Sequence, residues 1–428
     1  MVMTNNKQHR LMILGSLMEF IPLVKLAKAR GIYTIVCDGY SDGPAKKFAD
    51  KTYDIDVRNA EEIAEVCKAE AIDGIMGSFS DLLFEQITKI ADLADLRWYA
   101  KPDKLDFYRE KDKAKALLSK LGIRVPKNTQ LYPDFMDKEL DGFSFPLVIK
   151  PINGYGSKGI FVVHSLEEIR DFFSQVAMRS SGEREKIQVE EYTVGYEYNI
   201  MTWLTDGKVY PLGFADRERN PQSGSAIPQM NRIVYPSKNL SVVMEKAVEV
   251  LQKFADAVGQ TEGALSMQFF YNEHGVEVCE IAGRLFGYEN ELITYNSGLE
   301  VMDLLLDYVY DPDTLRTTLL NHSLQDTRYC AGMYFVGIHG KTIENQFVVR
   351  ELAEDPHTLK TSMFYEDGET IDNYSSKPYL VRYYVGANSR QELDATTQMF
   401  FDKMYVPAVD GDRVDMPFVQ ENRPKVGR

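Results

Sequence analysis

A lysine that closes an apolar run, with a glycine-rich stretch directly after it, is a pairing that suits polyphosphate. Residues 145–151 read Phe-Pro-Leu-Val-Ile-Lys-Pro, and the loop after Lys150 and Pro151 carries Gly154, Gly156, Ser157 and Gly159. Backbone N–H groups in such a loop and a point cation beside it neutralise dense negative charge together. Alone, a glycine-rich hairpin loop with nearby lysines is structural more often than functional. It is not a GxxxxGK[ST] loop, since no Gly-Lys-Ser/Thr opens a helix. The second station is Glu190-Glu191-Tyr192-Thr193, followed by Glu197. A strand end turning outward there offers N–H and C=O groups to an adenine edge, and Glu197 can accept from both ribose hydroxyls. The third is a pair of strands, 264–271 and 276–282, joined by Glu273-His274-Gly275 as a three-residue loop with glycine where φ must be positive. A turn centred on His274 sets Gln268 opposite Glu280. Strict alternation puts Gln268, Glu280 and Ala282 on one face, and Phe269, Cys279 and Ile281 on the other. A carboxylate with an amide oxygen opposite is a platform for Mg²⁺, a hard cation that takes oxygen ligands. The fourth is Arg284, four residues past Glu280, placed to clamp a phosphoryl oxygen or a carboxylate bidentately.

Chemistry spread over these stations needs a scaffold that brings them together. The first hundred residues alternate short apolar strands (11–14, 33–37, 53–57, 74–76) with helical stretches, separated by glycine turns. That pattern predicts a parallel sheet covered on both faces. Gly15-Ser16-Leu17 lacks the further glycines of GxGxxG, so the domain reads as structural rather than nicotinamide-binding. A charged helix over 108–121 stops at Gly122, and a helical apolar stripe over 243–258 stops at Gly259. After about residue 311 the pattern turns to short strands.

Composition sets the outer bounds. Lys+Arg total 49 against Asp+Glu 64, a formal net charge of −15, with no basic run. Such a surface repels phosphate backbones and argues against nucleic acid as a partner. Cys37, Cys67, Cys279 and Cys330 lie far apart with no CxxC pair, which suits a reducing cytoplasm and not a disulfide framework. The polar first ten residues show no signal peptide, and no apolar run approaches the roughly 20 residues that cross a bilayer. The expectation is a cytoplasmic protein without a membrane partner.

In this order the four stations resemble the ATP-grasp superfamily, whose groups include biotin carboxylases, D-alanine–D-alanine ligases, purine-biosynthetic ligases and L-amino-acid ligases. The similarity runs over about residues 10–310. It implies an α/β and α+β fold with three parts. These are an N-terminal Rossmann-like domain at 1–105, an ATP-grasp domain at 106–310 with its lid at about 123–192, and a mixed, largely β domain at 311–428. It also implies ATP and Mg²⁺ as cofactors. Lys111 (with Lys113 as its rival) and Lys150 then contact ATP phosphates, and the loop from Gly154 to Gly159 closes over them. Glu190, Glu191, Tyr192 and Thr193 hold adenine largely through backbone atoms, and Glu197 holds the ribose. Glu280 ligates Mg²⁺ with Gln268 opposite, and Arg284 steadies an acyl phosphate. Two positions depart from the family pattern, Gln268 where a carboxylate is usual and Ala282 where Asn is frequent. The implied activity joins a small-molecule carboxylate to an amine through an acyl phosphate, releasing ADP and phosphate, with a homodimer as the default assembly. Asp216, Arg217, Arg219 and Asn231 are the candidates for the substrate pocket. The alternatives are a carboxylase acting through carboxyphosphate and a nucleotide-binding protein that no longer turns over. Gln268→Glu is expected to tighten metal binding with little effect on stability.

Overall fold

The computed structural model describes residues 8–77, 79–152, 159–179, 185–219, 230–287, 289–324, 328–372 and 379–417. Strands β1 (Arg10–Leu14), β2 (Tyr33–Cys37), β3 (Lys51–Tyr53) and β4 (Gly74–Met76) alternate with helices α1 (Ile21–Ala29), α2 (Ala60–Ala69) and α3 (Asp81–Ala94). They form a parallel sheet of order β3-β2-β1-β4. Its inner strands β1, β2 and β4 carry buried Leu, Ile, Met and Val, as a sheet covered on both faces requires, while the edge strand β3 is largely exposed. At the end of β2, Asp38 takes the N–H and the hydroxyl of Ser16, each at 2.8 Å.

Two short helices, α4 (Asp106–Arg109) and α5 (Lys111–Lys120), lead into a small antiparallel sheet. Its strands are β5 (Asn128–Leu131), β6 (Leu147–Pro151), β7 (Phe161–Val163) and β8 (Ile187–Glu191), in the order β5-β8-β6-β7. Helix α6 (Leu166–Ala177) backs it, started by Ser165, whose side chain accepts from the Glu168 N–H. Leu147, Ile149, Val163, Ile169, Phe173 and Val189 close a core separate from the others.

The rest of the chain is organised by one eight-stranded sheet, in the order β13-β12-β9-β10-β11-β14-β16-β15. Its members are β9 (Tyr196–Thr205), β10 (Lys208–Arg219), β11 (Met230–Tyr235), β12 (Gly263–Asn272), β13 (Gly275–Ala282), β14 (Tyr329–Phe335), β15 (Thr358–Met363) and β16 (Val381–Ala387). The last three come from the segment expected to be a separate, largely β unit. They extend the central sheet instead, and that segment also supplies helices α10 (Pro312–Asn321), α11 (Phe347–Ala353) and α12 (Arg390–Lys403). On one face of the sheet Tyr198, Phe214, Met267 and Phe269 pack on α7 (Leu240–Val258), while Met333, Tyr383 and Val385 join the core that α11 and α12 cover. The opposite face carries Met201, Trp203, Ala215, Tyr235, Cys330 and Tyr384, which share a core with the N-terminal sheet and with α8 (Asn290–Ser297) and α9 (Val301–Tyr310). A Cβ on Gly283 would meet the Phe84 ring at 2.4 Å, and Tyr99 donates to the Gly283 carbonyl at 2.8 Å. Only glycine lets the end of β13 dock this closely on the N-terminal domain. Among the described residues no helix is long and apolar enough to cross a membrane.

Candidate active site

Three lysines converge where α5 meets the small sheet. Lys150 ends β6 and lies only 5% exposed, with Nζ 2.6 Å from Glu190 Oε1. Glu190 is on the neighbouring strand β8, one register step away, since Val148 pairs with Glu190 and Lys150 with Gln188. Lys115, buried on α5, reaches the same carboxylate oxygen. Burial alone would raise the Glu190 carboxyl, but Lys150 and Lys115 prevail and hold it at about 2. The Lys115 ammonium is pushed down to about 8 by burial and by Lys150. Lys111 stands one helical turn before Lys115, so both share a face of α5, and burial with the nearby Lys150 lowers its pKa too. Lys113 points away, paired with Asp106 at 2.5 Å and Glu110 at 3.1 Å and 46% exposed. Of the two rivals, Lys111 is the one that lines the cavity beside Lys115. Lys115 was missed, although its i,i+4 spacing from Lys111 was there to be read.

The residues after β8 are pinned by their side chains. Glu191 Oε1 accepts the Ser144 N–H at 3.2 Å, and the Thr193 hydroxyl donates to Glu277 Oε1 at 2.5 Å. The Tyr192 ring lies under the Arg219 guanidinium, 5.8 Å from its centroid. Gly159 has φ +75°. Gly154, Gly156 and Ser157 lie outside the described residues.

The metal hairpin brings Gln268 opposite Glu280 as expected, by a different route. The loop holds two residues, with Asn272 pairing Gly275 (φ +99°), and a β-bulge between Gln268 and Phe269 restores the expected pairing. The bulge overturns the assignment of Cys279 to the far face. With an extra residue inserted, Cys279 turns to the side of Glu280, and both line a cavity with Asp81, Arg109, Lys111 and Lys115. Burial pushes the Cys279 thiol up, which keeps it a neutral wall.

Arg284 is held by a residue that the sequence did not single out. Asp81, the first residue of α3, takes Nε at 2.6 Å and Nη2 at 2.8 Å, and Leu285 accepts from Nη1 at 3.2 Å. These bonds use three of the five guanidinium N–H groups, so a braced Arg284 keeps two donors. Burial opposes the Asp81 charge, but Arg284 outweighs it and lowers the carboxyl.

Glu197, assigned to ribose, is 2% exposed, ion-paired with two arginines and hydrogen-bonded by one amide. Arg217 Nε lies at 2.7 Å, Arg219 Nε at 3.0 Å and Gln268 Nε2 at 2.6 Å. Of the pocket candidates, Arg217 and Arg219 reach the site through Glu197, and Asn231 falls at a β-bulge that breaks the alternation between β10 and β11. Asp216 is on the other face, bound to Ser237 at 2.5 Å and Arg390 at 3.1 Å, and is withdrawn from the pocket.

The contacts of Glu197 fix the orientation of Gln268. A carboxylate accepts only, so the Gln268 amide must turn its NH₂ to Glu197 and its carbonyl oxygen away. That oxygen and Glu280 are hard donors of the kind Mg²⁺ takes, and the buried Ser266 hydroxyl opposite Ala282 has no hydrogen bond. Among the described residues no three His, Cys, Asp or Glu side chains converge as a metal site. The donor set fits an ion that arrives with phosphate ligands of its own. Gln268→Glu is therefore not the benign change expected from sequence, because it sets two carboxylates against each other and removes a donor from Glu197. Without Mg²⁺ this variant is expected to melt below wild type, and added Mg²⁺ to recover most of the difference. Equal melting temperatures in the absence of metal would contradict the Glu197–Gln268 contact.

Comparison with known proteins shows what the chain is similar to. Residues 143–290 match the family model of the ATP-grasp domain. The formate-dependent phosphoribosylglycinamide formyltransferase of Prochlorococcus marinus is 26% identical over 288 residues, covering 64% of this chain and 70% of that protein. The carbamoyl phosphate synthase large chain of Clostridium botulinum is 23% identical over 381 residues, 85% of this chain but only 33% of that protein. In structure, the L-amino acid ligase from Bacillus licheniformis aligns with TM-score 0.76 at 16% identity, covering 94% of this chain and 98% of that one. The matched segment holds the loop lysine, the Glu190 turn, the β12–β13 hairpin and Arg284, and on that ground this chain carries an ATP-grasp domain.

Proposed function

We propose that this protein is an ADP-forming carboxylate–amine ligase. The substrate carboxylate attacks the γ-phosphorus of ATP, Lys111 and Lys150 neutralise the phosphate oxygens, and the two unused N–H groups of Arg284 meet the transferring group. The acyl phosphate then yields to an amine and phosphate leaves. Mg²⁺, held by Glu280 and the Gln268 carbonyl oxygen, would supply charge neutralisation at the β- and γ-phosphates. Glu191, Tyr192 and Thr193 would meet adenine through backbone atoms, since the Glu191 and Thr193 side chains are engaged elsewhere. Glu190 would act on the nucleotide through the lysines it holds.

The observation that carries this reading is the braced arginine. Asp81 binds Arg284 and lines one cavity with Lys111 and Glu280, and Arg284 feels the Glu280 charge. A nucleotide-binding protein without turnover has no use for a buried guanidinium with spare donors at that point. The test is a screen for ADP and phosphate release against pooled amino acids, with and without bicarbonate. Release that depends on the amino acids is expected. Release that needs bicarbonate alone would favour carboxyphosphate chemistry, and tight ATP binding without ADP from any acceptor would favour a protein that no longer turns over.

A further inference from the structure

Beside the metal hairpin, the same sheet face meets another buried carboxylate. Glu289 directly precedes α8 and is 3% exposed. Asn199 on β9 donates Nδ2 to its Oε1 at 2.7 Å, and Tyr235 on β11 gives its phenolic hydrogen to Oε2. Both partners are neutral. The charged groups facing it are Arg217 from β10 and Arg284 from the loop after β13, both acting at longer range. The other titratable neighbours are the phenols of Tyr334 on β14 and Tyr384 on β16. Asp81, Glu190 and Glu197 each bind a guanidinium or an ammonium directly. Among the described residues Glu289 has no such partner. An ionised carboxylate offers about four acceptor positions, so its two hydrogen bonds leave acceptor capacity uncommitted. Burial pushes its carboxyl up to about 6, against the hydrogen bond from Tyr235 and the charge of Arg217. A base near that value both takes and returns a proton at neutral pH.

We propose that Glu289 is the general base of the amine step, an inference that rests on the acyl-phosphate reading above. The ammonium of the nucleophile docks on Glu289 and gives up one proton. The free amine attacks the acyl carbon, a C–N bond forms, and the C–O bond to the phosphate breaks. The departing phosphate takes the second amine proton and leaves as hydrogen phosphate, and Glu289 returns its proton to water. Arg284, which would hold the acyl phosphate, stands five residues earlier in the same loop, so base and electrophile meet at one end of β13.

Hydroxylamine separates the two readings, because it is largely unprotonated at neutral pH and attacks acyl phosphates without a base. Wild type, Glu289→Gln and Glu289→Asp are compared with MgATP and the common L-amino acids, with and without hydroxylamine. Glu289→Gln is expected to lower the ratio of amide to hydroxamate formation by on the order of 10²–10⁴-fold, and Glu289→Asp to restore part of it. Equal loss of both rates would overturn the base and leave the acyl phosphate standing. Wild type that forms no hydroxamate would overturn the acyl phosphate and the base together.

Discussion

Replacing Arg284 by alanine is expected to lower kcat by on the order of 10²–10³-fold with little change in nucleotide affinity, because its spare donors serve charge that develops during transfer. The structure adds a second consequence. Asp81 would lose its bidentate partner and keep only Arg109, 4.0 Å away, so stability falls as well. A low rate could then reflect poor folding, so two further variants are needed. Asp81→Asn keeps the arginine but loosens its brace, and is expected to lower kcat by about tenfold, as a misplaced clamp does. Asp81→Asn with Arg284→Ala removes both charges and is expected to regain stability without regaining rate. Urea unfolding and saturated turnover, measured on all three, keep the effects apart. Wild-type kcat in Arg284→Ala, with its substrates saturating, would remove the residue from the mechanism.

Glu190→Gln is expected to be the most destabilising single change in the nucleotide site. Lys150 and Lys115 share this carboxylate deep in the protein, and losing it leaves two buried ammonium groups together, at a cost of about 3–5 kcal/mol. ATP supplies the missing negative charge. The variant should therefore melt well below wild type when empty and gain more from ATP than wild type does. The sign of the pH dependence follows from the depressed carboxyl. The Glu190 pairing is fully present above its unfolded value, near the ordinary glutamate pKa, and is lost as pH falls toward about 2. Glu190→Gln should flatten that acid limb. An unchanged acid limb and an unchanged melting temperature would mean that the shared ion pair contributes nothing.

Patterns that sit on one element or one hairpin were legible in the sequence, and those that join distant elements were not. The hairpin partners Gln268 and Glu280 followed from alternation and a glycine turn, and the right pair emerged although the loop is shorter and a bulge makes up the difference. The same bulge could not be foreseen, so Cys279 was assigned to the wrong face. Lys150 was marked by the glycine loop after it, whereas Glu190 was read as a backbone station because its bond to Lys150 crosses two strands. Asp81 lies about two hundred residues before its partner Arg284, and only the docking of Gly283 onto Phe84 brings them together. Glu289 looked like any residue before a helix, since its partners come from β9 and β11. The extension of the central sheet by β14, β16 and β15 was missed for the same reason, because strand order is a long-range property.

The acyl phosphate is tested most directly by following oxygen. With ¹⁸O in the carboxylate of the accepted substrate, attack on the γ-phosphorus makes one carboxylate oxygen the bridge, and it leaves with phosphate when the amine arrives. One ¹⁸O per released phosphate, with ADP as the nucleotide product, is the expected result. Unlabelled phosphate, or AMP and pyrophosphate in place of ADP, would contradict the mechanism.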